Sequence, residues 1–572
     1  MTALSNPDPL IPDAIDGGGR PLTDRGAVVL AAAVVLGAWW HKPVPLIVGV
    51  MVGLVAAVLR RPTVLVLGAF LVASTLGTRS FEGITAAEPG SYSGPVTLLS
   101  DPKETPYGVR VDVRAGNKRF ELNASQSAAG AVGRSLAGER LSVEGRLRTR
   151  PDDMPWLIPR HVVGRLTVSS AERLDGGSAP WRAANRFRRL LGRGAEVMDE
   201  PARSLYGGFV LGDDRGQTPE LIDDFRGAGL THLLVVSGQN VAFLLVLAGP
   251  LIRRQGLAGR WLVTIWIIGA FAVLTRFEPS VLRASAMAAI AVTATVAGRP
   301  SSTLRNLSLA VAVLVLIDPL LVWSVAFQLS TAASAGIAVL GPRIAGALRG
   351  PRWWREALGV TLAAQLGVAP VLVPRFGGLP VVSVVANLLA VPVAGLVTTW
   401  GLPAGVVAGI FGSPVAAWVH LPTRFMIGWV AGVARVSSAL PLGEVGTREL
   451  VVIVAAAWVA ATVHRHRPER RAIVAMLLSV AVLAALTPAL ALRSPPADVV
   501  LAGGSRIQRR QGATLLILDA SSSPTPLLQD LRRAGVRRID VVHATTEPRP
   551  EVMRALRHRW PVGPVIVTPV DR

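Results

Sequence analysis

Two blocks of long apolar runs constrain this chain more than anything else in it. A helix needs about 20 largely apolar residues to cross a bilayer. The first block offers short candidates at 26–40, 44–59 and 63–78, and the second runs almost unbroken over 231–492. Within the second, spans are expected near 231–251, 261–275, 281–297, 306–340 (two), 357–374, 380–440 (two or three), 450–463 and 472–491. Composition agrees: 51% of the 572 residues are hydrophobic and 17% charged, where soluble domains carry about 25% charged residues. A purely soluble enzyme is thereby excluded. Trp39-Trp40-His41-Lys42-Pro43 follows the first run where a secretory signal would have a small-residue cleavage site. That run therefore reads as a membrane helix, preceded by a flexible cytoplasmic tail at 1–25.

Between the blocks, over 79–180, short alternating stretches appear: GVRVDVR at 108–114, KRFEL at 118–122 and RLSVEGRLR at 140–148. Period-two alternation bounded by Gly, Pro, Asn and Ser predicts a small antiparallel β domain of about five strands, the pattern of an OB-like barrel. Residues 181–230 read as an amphipathic helical connector, opening with an arginine-rich helix at 181–194. After the second block, 498–572 reads as α/β, with strands at 514–519, 539–543 and 565–567 and helices at 527–534 and 551–557. The fold class is thus a polytopic α-helical membrane protein with an extracytoplasmic small β-barrel domain and a short C-terminal α/β domain.

The formal charge of +22 has two competing causes, nucleic acid and membrane topology. Loops on the cytoplasmic side of a membrane are enriched in Lys and Arg. With the N-terminus inside, Arg60-Arg61, then Arg253, Arg254 and Arg260, then Arg299 and Arg305, then Arg343, Arg349, Arg352 and Arg355, and finally Arg465, Arg467, Arg470 and Arg471 all fall inside. This requires 380–440 to contribute an even number of crossings, and it places the β and C-terminal domains outside. Residues 201–496 hold 23 Arg against 11 acidic residues, while 79–175 hold 14 basic against 12 acidic. Topology therefore accounts for most of the charge.

Polar groups inside an apolar block are costly and usually face a bundle interior or an aqueous path. His232, Ser237, Gly238, Gln239 and Asn240 interrupt one run, with Gly238 permitting close backbone approach or local unwinding. Glu278 and Arg283 open another span around Pro279, and Gln328 and Asn387 lie in later ones. Two readings are available. The residues line a conduit, or they tie helices together at about 0.6 kcal/mol each, with Glu278 and Arg283 paired to one another. No G-x-x-x-x-G-K-[ST] phosphate loop is present, and no G-x-S-x-G or H-E-x-x-H motif. Without cysteine there is neither a disulfide framework nor a cysteine-ligated metal site. No catalytic residue, metal or cofactor is expected.

These residues together resemble the ComEC competence family. Similar to the family pattern are Gly212-Asp213 through His232-Leu-Leu-Val-Val-Ser237-Gly238, then Pro279-Ser-Val-Leu-Arg283-Ala, Phe327-Gln328-Leu329-Ser330 and Asn387-Leu-Leu-Ala-Val-Pro392. Gln239-Asn240 departs from it, since the family more often shows Leu-His. The resemblance implies import of single-stranded DNA through the membrane during natural transformation. It also implies a cytoplasmic ATPase or helicase partner, an extracytoplasmic DNA receptor, and a homo-oligomeric assembly in the lipid bilayer. Members often end in a metallo-β-lactamase-like domain with a T-H-x-D-x-D-H motif. After His543 this chain instead reads Ala544-Thr-Thr-Glu547-Pro-Arg-Pro-Glu551, so its tail is read as a truncated, metal-free version without nuclease activity. The alternatives are a membrane-embedded hydrolase or nuclease using His543, Glu547 or His232, and a transporter or scaffold for another anionic substrate.

Overall fold

The computed structural model describes residues 23–568 apart from 60, 106, 152, 300, 467–470, 493–495, 502 and 511. Most of the expected tail at 1–25 lies outside the described residues, as do Arg60, Arg467 and Arg470 of the expected cytoplasmic clusters. Among the described residues, six helices are long and apolar enough to cross a membrane: Pro62–Gly83, Leu257–Leu274, Pro279–Val296, Val325–Ala347, Arg352–Phe376 and Ser383–Phe411. The shorter apolar helices include Leu46–Leu59, Gly238–Leu247 and Thr303–Ile317. The protein is a multi-pass membrane protein.

Local chemistry sets several boundaries. Thr23 caps the Asp24–Trp40 helix by accepting a bond from the Gly26 amide at 3.1 Å. The run at 231–251 does not form the single expected span. It breaks into a turn at Thr231–Leu233, then Gly238–Leu247 and Gly249–Arg253. Extended Ser237 (φ −102°, ψ 162°) occupies the N-cap position before Gly238, so the polar residues stand at a helix start. Region 380–440 resolves into two long helices, Ser383–Phe411 and Leu421–Ala439, with a short turn of helix at Val415–Val419 between them.

Small residues let the bundle close tightly. A Cβ at Gly336 would lie 2.3 Å from the Ala363 carbonyl, and one at Gly367 would lie 2.4 Å from that of Ala332. The helices Val325–Ala347 and Arg352–Phe376 thus approach backbone to backbone, as small residues allow in membranes. The N-terminal helices join the same bundle, since Val34, Ala38 and Ala73 share a core with Val311 and Val315.

Among its described residues the β domain has six strands: β1 (Gly90–Leu98), β2 (Lys103–Thr105), β3 (Gly108–Ala115), β4 (Lys118–Ala124), β5 (Arg140–Thr149) and β6 (Val162–Asp175). They form one sheet in the order β1-β5-β6-β4-β3-β2, with an additional pairing of Thr97 and Leu98 in β1 to Arg114 and Val113 in β3. Only β4 and β6 run parallel, and the Gln126–Arg134 helix lies between β4 and β5 in the chain. Alternation places Val109, Val111 and Val113 of β3 inside and Arg110 and Arg114 outside. Leu320, from the membrane block, completes this core.

The C-terminal residues form a five-stranded sheet. Asp498–Val500, Arg506–Arg510 and Ala513–Leu518 run antiparallel in turn, and Val541–Ala544 and Val565–Val567 continue it in parallel. Helices Pro524–Arg533 and Pro550–Arg559 bury Leu527, Leu528, Leu531, Val552 and Leu556 in its core.

Both soluble domains contact one end of the bundle. The β domain meets Arg276, between two spans, through Asp101. It also meets Asp318 through His161, at 3.0 Å. Gln328, just beyond Asp318, bonds to Arg375 at the end of Arg352–Phe376. Arg533 of the C-terminal domain bonds to the Phe376 carbonyl beside it. The opposite end holds the pair Asp24–Arg305, at 2.9 Å.

Candidate functional site

The contact between the β domain and the bundle is a buried ionic cluster. Asp101, on the turn after β1, accepts bonds from Arg188 Nη2 (2.9 Å), from Arg276 Nε (3.1 Å) and Nη2 (3.0 Å), and from the Ala137 amide (2.9 Å). Arg188 lies in the connector helix Ala179–Gly194, and its side chain is 4% exposed. It also bonds to Asp213 (2.9 Å) and to the carbonyls of Leu211 and Leu274. Arg276 reaches Asn185 Oδ1 at 2.7 Å and stands 5.3 Å over the Trp181 ring, a cation–π geometry. Burial opposes ionisation of Asp101, but Arg188, Arg276 and Arg215 outweigh it and hold its carboxyl at about 2. Arg276 and Phe277 both adopt left-handed backbone, at φ 60° and 58°. Such geometry is costly for non-glycine residues and persists only when its surroundings enforce it.

The motif Gly212-Asp213 feeds this cluster. Gly212 ends the Glu200–Leu211 helix at φ 68°, and a Cβ there would lie 2.8 Å from Val236 Cγ2. Only glycine fits both demands. Asp213 then turns back to Arg188 and to Arg215, the latter at 2.6 Å. Pro279 opens the Pro279–Val296 helix at its first position, where its missing amide costs nothing.

Four of the sequence-predicted path residues converge. His232, Ser237, Gln239 and Asn240 border one cavity of about 20 Å³, lined also by Phe209, Val391, Ala394 and Thr398. That space suits about one water molecule and is far too small for a nucleotide. His232 and Gln239 are exposed, Ser237 is half-buried and Asn240 is buried. Asn240 Nδ2 donates to the Phe209 carbonyl at 2.8 Å, and Ser237 Oγ reaches Asn240 Oδ1 at 3.3 Å. Gly238 faces Arg283, whose Nη2 would lie 2.6 Å from a Cβ on that glycine. Arg283 is 7% exposed. Its Nε bonds to Ser330 Oγ at 2.8 Å and its Nη1 meets Met287 Sδ at 3.1 Å.

The remaining residues are placed differently. Glu278 does not pair with Arg283 among the described residues. It stands at the N-cap position before the Pro279–Val296 helix without a side-chain bond to it, and burial there raises its pKa although Lys103 opposes the shift. Gln328 donates to the Val322 carbonyl at 2.6 Å, and Asn387 to the Ser383 carbonyl at 2.7 Å. Pro392 stands inside the Ser383–Phe411 helix beside the cavity wall at Val391. All lie outside the cavity. In the C-terminal domain His543 Nε2 meets Thr568 Oγ1 at 3.1 Å. Among the described residues no group of three or more His, Asp or Glu converges as a metal site would require.

Sequence reading missed the cluster around Asp101. A signal was present: Ala184, Asn185, Arg188, Leu191 and Gly194 recur at helical spacing and form the buried face of one helix. Two polar residues on a periodic apolar stripe mark a buried partner.

Residues 209–493 match the sequence profile of the family described as Competence protein. The chain belongs to the competence-protein family. The matched region takes in Gly212, Asp213, Pro279, Pro392 and every residue of the polar set, and it leaves out both the β domain and the C-terminal domain. ComE operon protein 3 of Bacillus subtilis (strain 168) is 27% identical over 286 residues, which cover 48% of this chain and 35% of that protein. The uncharacterized protein YcaI of Escherichia coli (strain K12) is 29% identical over 215 residues, covering 35% of this chain and 28% of its own length. The chain thus spans about a third of the length of these curated relatives. No solved structure matches it.

Proposed function

We propose that this competence-family protein is the membrane conduit that admits single-stranded DNA during natural transformation. The observation that carries the reading is the coincidence of the family match with the polar break at 231–240, at the end of the bundle that faces both soluble domains. Phosphates cannot cross hydrocarbon unaided, so a route needs polar side chains at a helix break. Ser237, Gln239, Asn240 and Arg283 supply them, with His232 at the mouth and Gly238 as the point of closest packing. The conformation described here is shut. Passage requires Asn240 to release the Phe209 carbonyl and the helices on either side of the cavity to part.

The β domain is read as an OB-like barrel. Supporting this are the β1–β3 pairing, which brings the first strand back onto the third, the parallel β4–β6 pair and the helix between β4 and β5. It would receive the strand by backbone charge and by stacking on exposed Tyr107 and Trp156. Arg253, Arg254, Arg260, Arg299 and Arg305 lie toward the opposite end of the bundle, which favours a cytoplasmic assignment for that end and an extracytoplasmic one for both soluble domains. The C-terminal domain is read as a truncated metallo-β-lactamase-like unit without a metal motif, and the protein as a channel in place of an enzyme. A cytoplasmic ATPase or helicase, an extracytoplasmic DNA receptor and self-association would complete the machine.

The test is a chromosomal deletion assayed for uptake of labelled DNA and for transformants. The deletion strain is expected to lose both, and uptake at the parental level would overturn the proposal.

A further inference from the structure

A second cavity, of about 730 Å³, lies where the C-terminal domain meets the bundle. Its floor is apolar: Leu440 and Leu442 follow the Leu421–Ala439 helix, and Pro488, Ala491 and Leu492 end the Arg471–Ala491 helix. Its roof is cationic, formed by Arg532, Arg533, Arg537 and Arg559. Most of that charge is already engaged. Glu444 takes Arg532 at 3.1 Å and Arg533 at 2.9 Å, and Asp224 takes Arg559 at 3.0 Å. Two donor sets are left over. Arg532 Nη2 is buried without a hydrogen bond, its Nε facing Asp223 Oδ1 at 3.5 Å, and Arg537 is exposed with no hydrogen bond or ion pair among the described residues.

We propose that this cavity binds one anionic phospholipid, its phosphate on Arg537 and Arg532 and its first acyl methylenes on the floor. Volume fits: 730 Å³ falls within the roughly 300–1,000 Å³ of small-molecule sites and exceeds what a few waters fill. Access fits as well. Leu483, Leu486 and Leu490 are exposed along the Arg471–Ala491 helix and lead from the apolar bundle surface to the cavity wall. Guanidinium forks suit phosphate oxygens, and basic pockets beside membrane helices take anionic head groups. A nucleic-acid strand is disfavoured. The aromatic residue of the cavity, Trp560, is 7% exposed, so no stacking platform is offered. The inference stands independently of the conduit proposal.

The full chain, purified in detergent, would be titrated with phosphatidylglycerol, phosphatidylcholine, inorganic phosphate and oligodeoxythymidine, with occupancy read by native mass spectrometry. One phosphatidylglycerol per chain is expected, bound about tenfold or more tighter than phosphatidylcholine. Arg537→Ala should remove that preference and Arg537→Lys keep most of it, while Ala491→Phe should weaken both lipids by filling the floor. Equal affinity for the two lipids, or unchanged binding by Arg537→Ala, would overturn the assignment. So would displacement by inorganic phosphate alone, which marks a simple anion site, or by the oligonucleotide, which marks a nucleic-acid site. If Arg537→Ala does not fold, the lysine and phenylalanine variants decide by the same criteria.

Discussion

Replacing Asp101 should uncouple the β domain from the membrane bundle. Its carboxylate accepts four hydrogen bonds, three of them from Arg188 and Arg276, whose side chains are 4% and 8% exposed. Asp101→Ala leaves Arg188 with Asp213 and two carbonyls, but strips Arg276 of its carboxylate and leaves it Asn185 and the Trp181 ring. Removing one partner of a buried ion pair costs about 3–5 kcal/mol, because the other charge stays desolvated. An exposed pair would cost at most about 1 kcal/mol. The assay is unfolding in mixed micelles by titration with sodium dodecyl sulfate, run as a cycle with Arg276→Ala and the double variant. The double variant should recover part of the loss, with a coupling of about 1–3 kcal/mol. A loss below about 1 kcal/mol for Asp101→Ala, or additivity within about 0.5 kcal/mol, would refute the view that the cluster holds the two domains together.

Acid should weaken the same joint. The Asp101 carboxyl titrates at about 2 in the fold against an ordinary 3.8, so its contribution is complete above pH ~4 and disappears as pH falls through ~2. The difference is worth about 2 kcal/mol, and Asp101→Asn should flatten that acid limb in stability-versus-pH curves. In the membrane, Asn240→Leu orphans its share of the Phe209 carbonyl and is expected to cost about 1–3 kcal/mol. With Ser237→Leu it should lower DNA uptake at least tenfold while membrane insertion on immunoblots stays normal; parental uptake in both variants would remove these residues from the path. Gly336→Leu forces apart two helices packed so closely that even a Cβ at Gly336 would lie 2.3 Å from the Ala363 carbonyl, and should destabilise the purified protein by about 3 kcal/mol with little change in the soluble domains by limited proteolysis.

Helix positions were legible because hydrocarbon accepts only long apolar segments, and the β domain was legible because its strands alternate in and out. The apolar runs alone left 380–440 open between two and three helices, and packing gives two long ones, while Gly212-Asp213 and Pro279 stood out as motif residues with local backbone duties. The break at 237–238 was visible as polarity, though not its form, since an extended N-cap and a locally unwound helix share one composition. What sequence could not decide was which polar residues meet. Glu278 and Arg283 lie five positions apart with opposite charge and invite pairing, yet Arg283 turns to Ser330 and Gly238, and Arg188, 87 positions from Asp101, becomes the partner of Asp101. Apolar burial is nearly non-directional and writes itself along the chain as periodicity. Ionic and hydrogen-bond partnerships are short-ranged and directional, so they exist only once distant segments have been packed within about 3 Å of one another.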